Sequence, residues 1–165
     1  MSRPTLCFVD ATILSALIEP DPSSDRALRW LRHLPNSWIT SELSVALCLS
    51  RLERRGLSLQ HQQACLKALE LLLRHGVGIR PLSLQSLELR KSPGRGSARS
   101  QPLTPLQALQ LHTALHWRCG ALISNEPRLV AAAQRSGLVA YSLGPPTAAA
   151  PGRWETGRRR SPIQP

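Results

Sequence analysis

No stretch of this 165-residue chain approaches the roughly 18 uninterrupted apolar residues of a membrane span. A secretory pattern is missing as well, since Pro4 and Asp10 bracket only a short apolar run near the N-terminus. A cytoplasmic protein with no membrane partner is therefore expected. Cys7, Cys48, Cys65 and Cys119 are widely scattered and form no C-x-x-C pair. That argues against zinc ligation and a disulfide framework, and reads as reduced core cysteine. His112 and His116 have i, i+4 spacing, but Thr113 stands where a metalloprotease H-E-x-x-H helix needs Glu. Both read as surface or packing histidines. Acids are scarce too, with 10 Asp and Glu against 21 Lys and Arg. Not one acid lies between Glu88 and Glu126.

What the chain has in quantity is arginine. The formal charge is +11. Taking away the four Arg and one Glu of residues 144–165 leaves 17 basic against 9 acidic residues, or +8. The excess thus belongs to the folded part as well as the tail. Arginine suits phosphate through its planar, multiply donating guanidinium, so a polyanion or an acidic partner protein is expected. Apolar residues make up 42%, which fits a globular chain, and the length suits one domain with a real core.

Leu6-Cys7-Phe8-Val9 is a short apolar run ending on Asp10 and reads as a buried strand. Ala11 to Glu19 continues as a helix until Pro20 breaks it. Ser24 or Asp25 can cap a second helix carrying Ala27, Leu28, Trp30, Leu31 and Leu34. Trp38-Ile39-Thr40 is a strand, followed by a helix from Ser41 to Arg55 that Gly56 stops. Ser58 caps a long helix to His75, with Cys65, Leu66, Leu69, Leu72 and Leu73 as its core stripe. Val77 to Arg80 is a strand, and Ser83 to Arg90 a short helix. The Ser-, Gly-, Pro- and Arg-rich residues 91–102 read as an exposed connection.

Thr104-Pro105-Leu106-Gln107 has the T-x-x-Q capping box and the Pro that open a helix, which runs to about Arg118. Ala121 to Ser124 is a strand, Pro127 to Ser136 a helix closed by Gly137, and Leu138 to Tyr141 a last strand. Residues 144–165 are rich in Pro, Ala, Gly and Arg and are expected to be disordered. Strands alternating with helices predict an α/β fold, a mostly parallel sheet covered on both faces. Ligands of such sheets collect beyond the strands' carboxyl ends. Asp10, the 40s and the Ser124-Asn125-Glu126 turn all fall there. Asp10 alone has two readings, a site carboxylate or a simple helix cap.

These residues carry a family resemblance. Phe8-Val9-Asp10 with Leu14, Thr40-Ser41-Glu42-Leu43, Gly78 to Leu82, Ala108 to Leu115 and Leu122 to Leu129, in that order, resemble a PIN domain of the VapC toxin type. That is the ribonuclease half of bacterial toxin–antitoxin pairs. The resemblance implies a three-layer α/β/α sandwich and a PIN-like domain over residues 1–143, and composition sets off a basic tail over 144–165. It also implies RNA as ligand, an antitoxin-like protein as partner, and a homodimer formed through the helices.

The family gathers about four carboxylates around Mg²⁺ or Mn²⁺, an oxygen-ligated ion that can activate water. The first family acid matches Asp10, and the fourth matches Glu126 with one extra methylene. The second falls on Leu47 and the third on Gln107, both neutral. Glu42 lies five residues before Leu47, about 7.5 Å along a helix and roughly 140° around it, so it is a poor substitute. The resemblance therefore implies metal held weakly or not at all, by Asp10 and Glu126. Arg90, Lys91, Arg95 and Arg99 are the expected RNA contacts. Three readings follow: a PIN relative that binds RNA or a partner without efficient cleavage, an active Mg²⁺-dependent endoribonuclease using the remaining acids, or an unrelated α/β scaffold.

Overall fold

The computed structural model describes residues 6–19, 24–25, 27–29, 37–82 and 102–143. β1 (Leu6–Val9) leads into α1 (Ala11–Ile18). β2 (Ser37–Ser41), α2 (Glu42–Arg54), α3 (Leu59–His75) and β3 (Val77–Arg80) follow. The second half is α4 (Pro105–His116), β4 (Ala121–Ile123), α5 (Pro127–Arg135) and β5 (Val139–Tyr141). The strands make one five-stranded sheet in the order β3-β2-β1-β4-β5, and every pairing is parallel. β1, at the centre, pairs Phe8 with both Ile39 and Leu122.

Alternation along these short strands decides which layer each residue joins. Cys7, Val9, Trp38, Ala121 and Ile123 face one core with Ile13 and Leu14 of α1, Cys48 and Leu52 of α2, and Cys65 and Leu69 of α3. Phe8, Ile39 and Leu122 face the other, with Leu111 and Ala114 of α4 and Leu129, Ala132 and Ala133 of α5. Because both faces are covered, the central strands need apolar residues at successive positions. This accounts for the unbroken run in β1 and for the three-layer α/β/α sandwich.

The helix ends follow local chemistry. Ser41 Oγ accepts the Ser44 N–H at 3.1 Å, and Thr104 and Gln107 form the reciprocal capping box at the start of α4. Gly56 and Gly137 take positive φ values of 61° and 86°, conformations that a Cβ disfavours. Several element ends shift by a residue or two, and one core position moves to the surface. α1 ends at Ile18 because Glu19 is extended, and α4 ends at His116, two residues before Arg118 adopts φ 52°. Leu66 leaves the expected core stripe of α3 and is 46% exposed, since a residue adjacent to Cys65 lies about 100° around the helix from it. Residues 24–25 and 27–29 are helical. Trp30, Leu31 and Leu34, the helix expected over 83–90, residues 91–101 and the tail lie outside the described residues.

All four cysteines are free and buried. Burial pushes the Cys7 thiol up to about 12, with the nearby Cys119 adding to the rise, and pushes Cys119 up to about 11. Since the thiolate is the reacting form, iodoacetamide at pH 8 is expected to leave the folded chain unmodified. Mass spectrometry after denaturation should count four adducts, one per cysteine. Among the described residues no helix is long and apolar enough to cross a membrane.

Candidate functional site

The carboxyl ends of β1, β2 and β4 bring the site residues to one edge of the sheet. Asp10 follows β1 directly. It is 1% exposed, and its backbone N–H is tied to the Ile123 carbonyl at the end of β4. Its Oδ1 accepts from Thr12 N–H at 3.0 Å, from the Thr12 hydroxyl at 2.6 Å and from Ile13 N–H at 3.1 Å. Its Oδ2 accepts from the Ser124 hydroxyl at 2.7 Å. One oxygen therefore caps α1, while the other reaches across to the turn after β4. Burial pushes the Asp10 carboxyl above the usual aspartate value. Its bonds from Ser124, Thr12 and Ile13, and the Arg51 charge, pull the other way without reversing the rise.

Ser124 relays this contact to the second acid. Its Oγ accepts the Glu126 N–H at 2.9 Å, and Thr12 Oγ1 accepts the Asn125 N–H at 2.8 Å. Glu126 stands at the N-cap of α5 with no side-chain capping bond, so its carboxylate is free to reach elsewhere. Arg51 Nη2 donates to Glu126 Oε1 at 3.1 Å, and Gln107 Nε2 makes a longer contact to Oε2 at 3.4 Å. Three helices thus meet at one carboxylate. A cleft of about 550 Å³ opens beside it, lined by Thr12, Asn125 and Glu126 on one side and by Arg51, Arg54 and Arg55 on another. Glu19 also borders the cleft and pairs with Arg55.

The structure brings Asp10, Glu126 and Gln107 into one hydrogen-bonded group. Glu42 is not part of it. That side chain is exposed, and its Oε2 accepts from Leu82 N–H at 3.5 Å, just past β3. Leu47 is half-buried on the same face of α2 as Arg51, one turn earlier. Arg90, Lys91, Arg95 and Arg99 lie outside the described residues. Sequence reasoning missed Arg51 and Thr12, and it placed the Ser124 turn at this edge without giving Ser124 a role. Helical spacing places Arg51 beside Leu47, but nothing local announces a partner 75 residues away.

These donors do not fit a hydrated divalent ion. Mg²⁺ wants oxygen ligands in near-octahedral array, whereas both Asp10 oxygens are engaged by donors inside the fold. Glu126 is shared between a guanidinium and an amide. Among the described residues no group of three or more His, Cys, Asp or Glu is placed to hold a metal.

Fold and site together define a three-layer parallel α/β protein whose candidate site lies at the carboxyl ends of β1 and β4. The model of the PIN domain matches residues 7–134, and the chain belongs to the PIN-domain family. That family is generally dependent on divalent metal. No curated protein matches the sequence. Among solved structures, the fold is similar to VapC20 of Mycobacterium tuberculosis, a sarcin–ricin loop cleaving toxin. That likeness has a TM-score of 0.58 at 18% identity, covering 76% of this chain and 94% of that one. It is also similar to VapBC2 of Rickettsia felis, bound to a DNA fragment from their promoter. There the TM-score is 0.57 and the identity 15%, over 83% of this chain and 98% of that one. FitAcB of Neisseria gonorrhoeae matches at TM-score 0.56 and 14% identity, over 83% and 97%. The fold is thus that of VapC-type toxins.

Proposed function

We propose that this chain is a VapC-like PIN-domain protein whose metal site has eroded, and that it binds RNA through its arginines with little or no cleavage. The observation that carries this reading is the state of the second retained acid. Glu126 is clamped by Arg51 and Gln107, and Leu47 and Gln107 are neutral where the family places acids. Without clustered carboxylates a two-metal phosphodiester cleavage lacks its ligands. The basic surface remains, with a formal charge of +11, and it draws a polyanion electrostatically. The structural neighbours, a sarcin–ricin loop cleaving toxin and a VapBC pair among them, support RNA as ligand and an antitoxin-like protein as partner; a cytoplasmic location is part of the proposal. A homodimer belongs to the same reading. Any Mg²⁺ or Mn²⁺ is bound weakly or not at all.

The test is fluorescence anisotropy with a labelled single-stranded RNA across a salt series, with and without EDTA. Binding is expected to be indifferent to EDTA, and log K should fall with log salt by about 0.7 per neutralised single-strand phosphate. Replacing Arg90, Lys91, Arg95 and Arg99 together with Ser should flatten that slope. An unchanged slope would move the contact elsewhere, to the Arg158-Arg159-Arg160 tail for example. Brisk Mg²⁺-dependent cleavage that disappears in Asp10→Asn, which keeps the cap of α1, would establish the active endoribonuclease instead.

A further inference from the structure

A cluster of carboxylates is stable only with positive charge close by, because unpaired like charges repel and take up protons. Here the cluster has shrunk to Asp10 and Glu126, and the nearby cation is on the chain itself. Arg51 Nη2 lies 3.1 Å from Glu126 Oε1, and the Arg51 charge is felt at Asp10 as well. The helix that has Leu47 at the family's second acid position supplies this arginine four residues later, on the same face. Along one turn of α2, a family acid has been exchanged for an apolar residue and a guanidinium sits beside the acid pair.

We propose that Arg51 is the resident cation of this site, a specificity-determining residue that neutralises Glu126 from within the chain and excludes a divalent ion from the acid pair. The inference rests on the reading of an eroded metal site and deepens it. The acids were not merely lost. A guanidinium now stands beside Glu126 as its counter-ion, so restoring acids alone does not restore the ion. A glutamate returned to position 47 would stand four residues N-terminal to Arg51, the favourable orientation for a helical ion pair. It would be drawn to Arg51 before any metal arrived.

The experiment restores the acids with and without Arg51. The full-length triple variant Leu47→Glu, Gln107→Asp, Glu126→Asp is compared with the same chain also carrying Arg51→Met, by calorimetric titration with manganese chloride. The quadruple variant is expected to bind Mn²⁺ at least about tenfold more tightly, the equivalent of about 1.4 kcal/mol. Arg51→Lys in the triple background keeps the cation and should bind as poorly as the triple variant. Circular dichroism and thermal melts check each fold. Gln107→Asp with and without Arg51→Met repeats the comparison with Leu47 intact. The proposal is overturned if removing Arg51 brings no gain in either background, whether both partners of a pair bind or neither does. Tight Mn²⁺ binding by the native chain is a separate result, which sinks the eroded-site reading whatever Arg51 does.

Discussion

Asp10→Ala is expected to lower the unfolding free energy by about 2–4 kcal/mol, measured by urea denaturation. Losing the cap of α1 accounts for about 1 kcal/mol. Leaving the buried Ser124 hydroxyl without its acceptor accounts for the rest, at about 1–3 kcal/mol. Asp10→Asn should behave quite differently. Its carbonyl oxygen can still cap α1, and it removes a charge that burial disfavours. The pH dependence separates the two. The Asp10 carboxyl is raised above its ordinary value of 3.8, so the folded chain holds that proton more firmly than the unfolded one. Its contribution is therefore most favourable below the ordinary value and declines as pH rises through the raised folded value. The native chain should show this decline in urea midpoints, and Asp10→Asn should lack it. A native profile that rises over the same window would show that the hydrogen bonds to Asp10 outweigh its burial.

Phe8→Ala should be the most damaging core change, at about 3–5 kcal/mol. Phe8 is the chain's one phenylalanine, is 0% exposed, and sits on the middle strand against Leu111, Leu122 and Leu129. It anchors α4 and α5, the helices whose first turns position Gln107 and Glu126, so the loss should reach the site as well as the stability. Domains of this size have only about 5–15 kcal/mol in hand. Thermal and urea melts of the purified variant measure the loss. Leu66→Ala on the exposed face of α3 is the control, with a change within about 0.5 kcal/mol. Equal losses at Phe8 and Leu66 would contradict the burial described above.

The sequence was most legible where structure is local. The Thr104–Gln107 capping box, the left-handed ends at Gly56 and Gly137, and the apolar run of β1 depend on neighbours within a few residues, and all are found where the pattern puts them. Leu66 falls outside the stripe because an i, i+1 neighbour included by spacing is turned about 100° around the helix. Asp10 had been divided between cap and site, yet its two oxygens serve different ends, one on α1 and one on Ser124. The Arg51–Glu126 pair is the opposite case. It joins residues far apart in the chain, and only the juxtaposition of α2 with the turn after β4 makes it visible.

One carboxylate and two hydroxyls tie the two halves of the sheet edge together. The amides of Thr12 and Ile13 end on Asp10, that of Asn125 on Thr12, and that of Glu126 on Ser124. None of these four N–H groups is held by a helix ladder or a strand pairing. Their exchange with solvent deuterium is therefore gated by the rotation of three side chains, on a different clock from the interior amides of α1 and α5. Faster exchange at these four amides than inside α1 and α5 is the expected sign that the sheet edge opens without the helices.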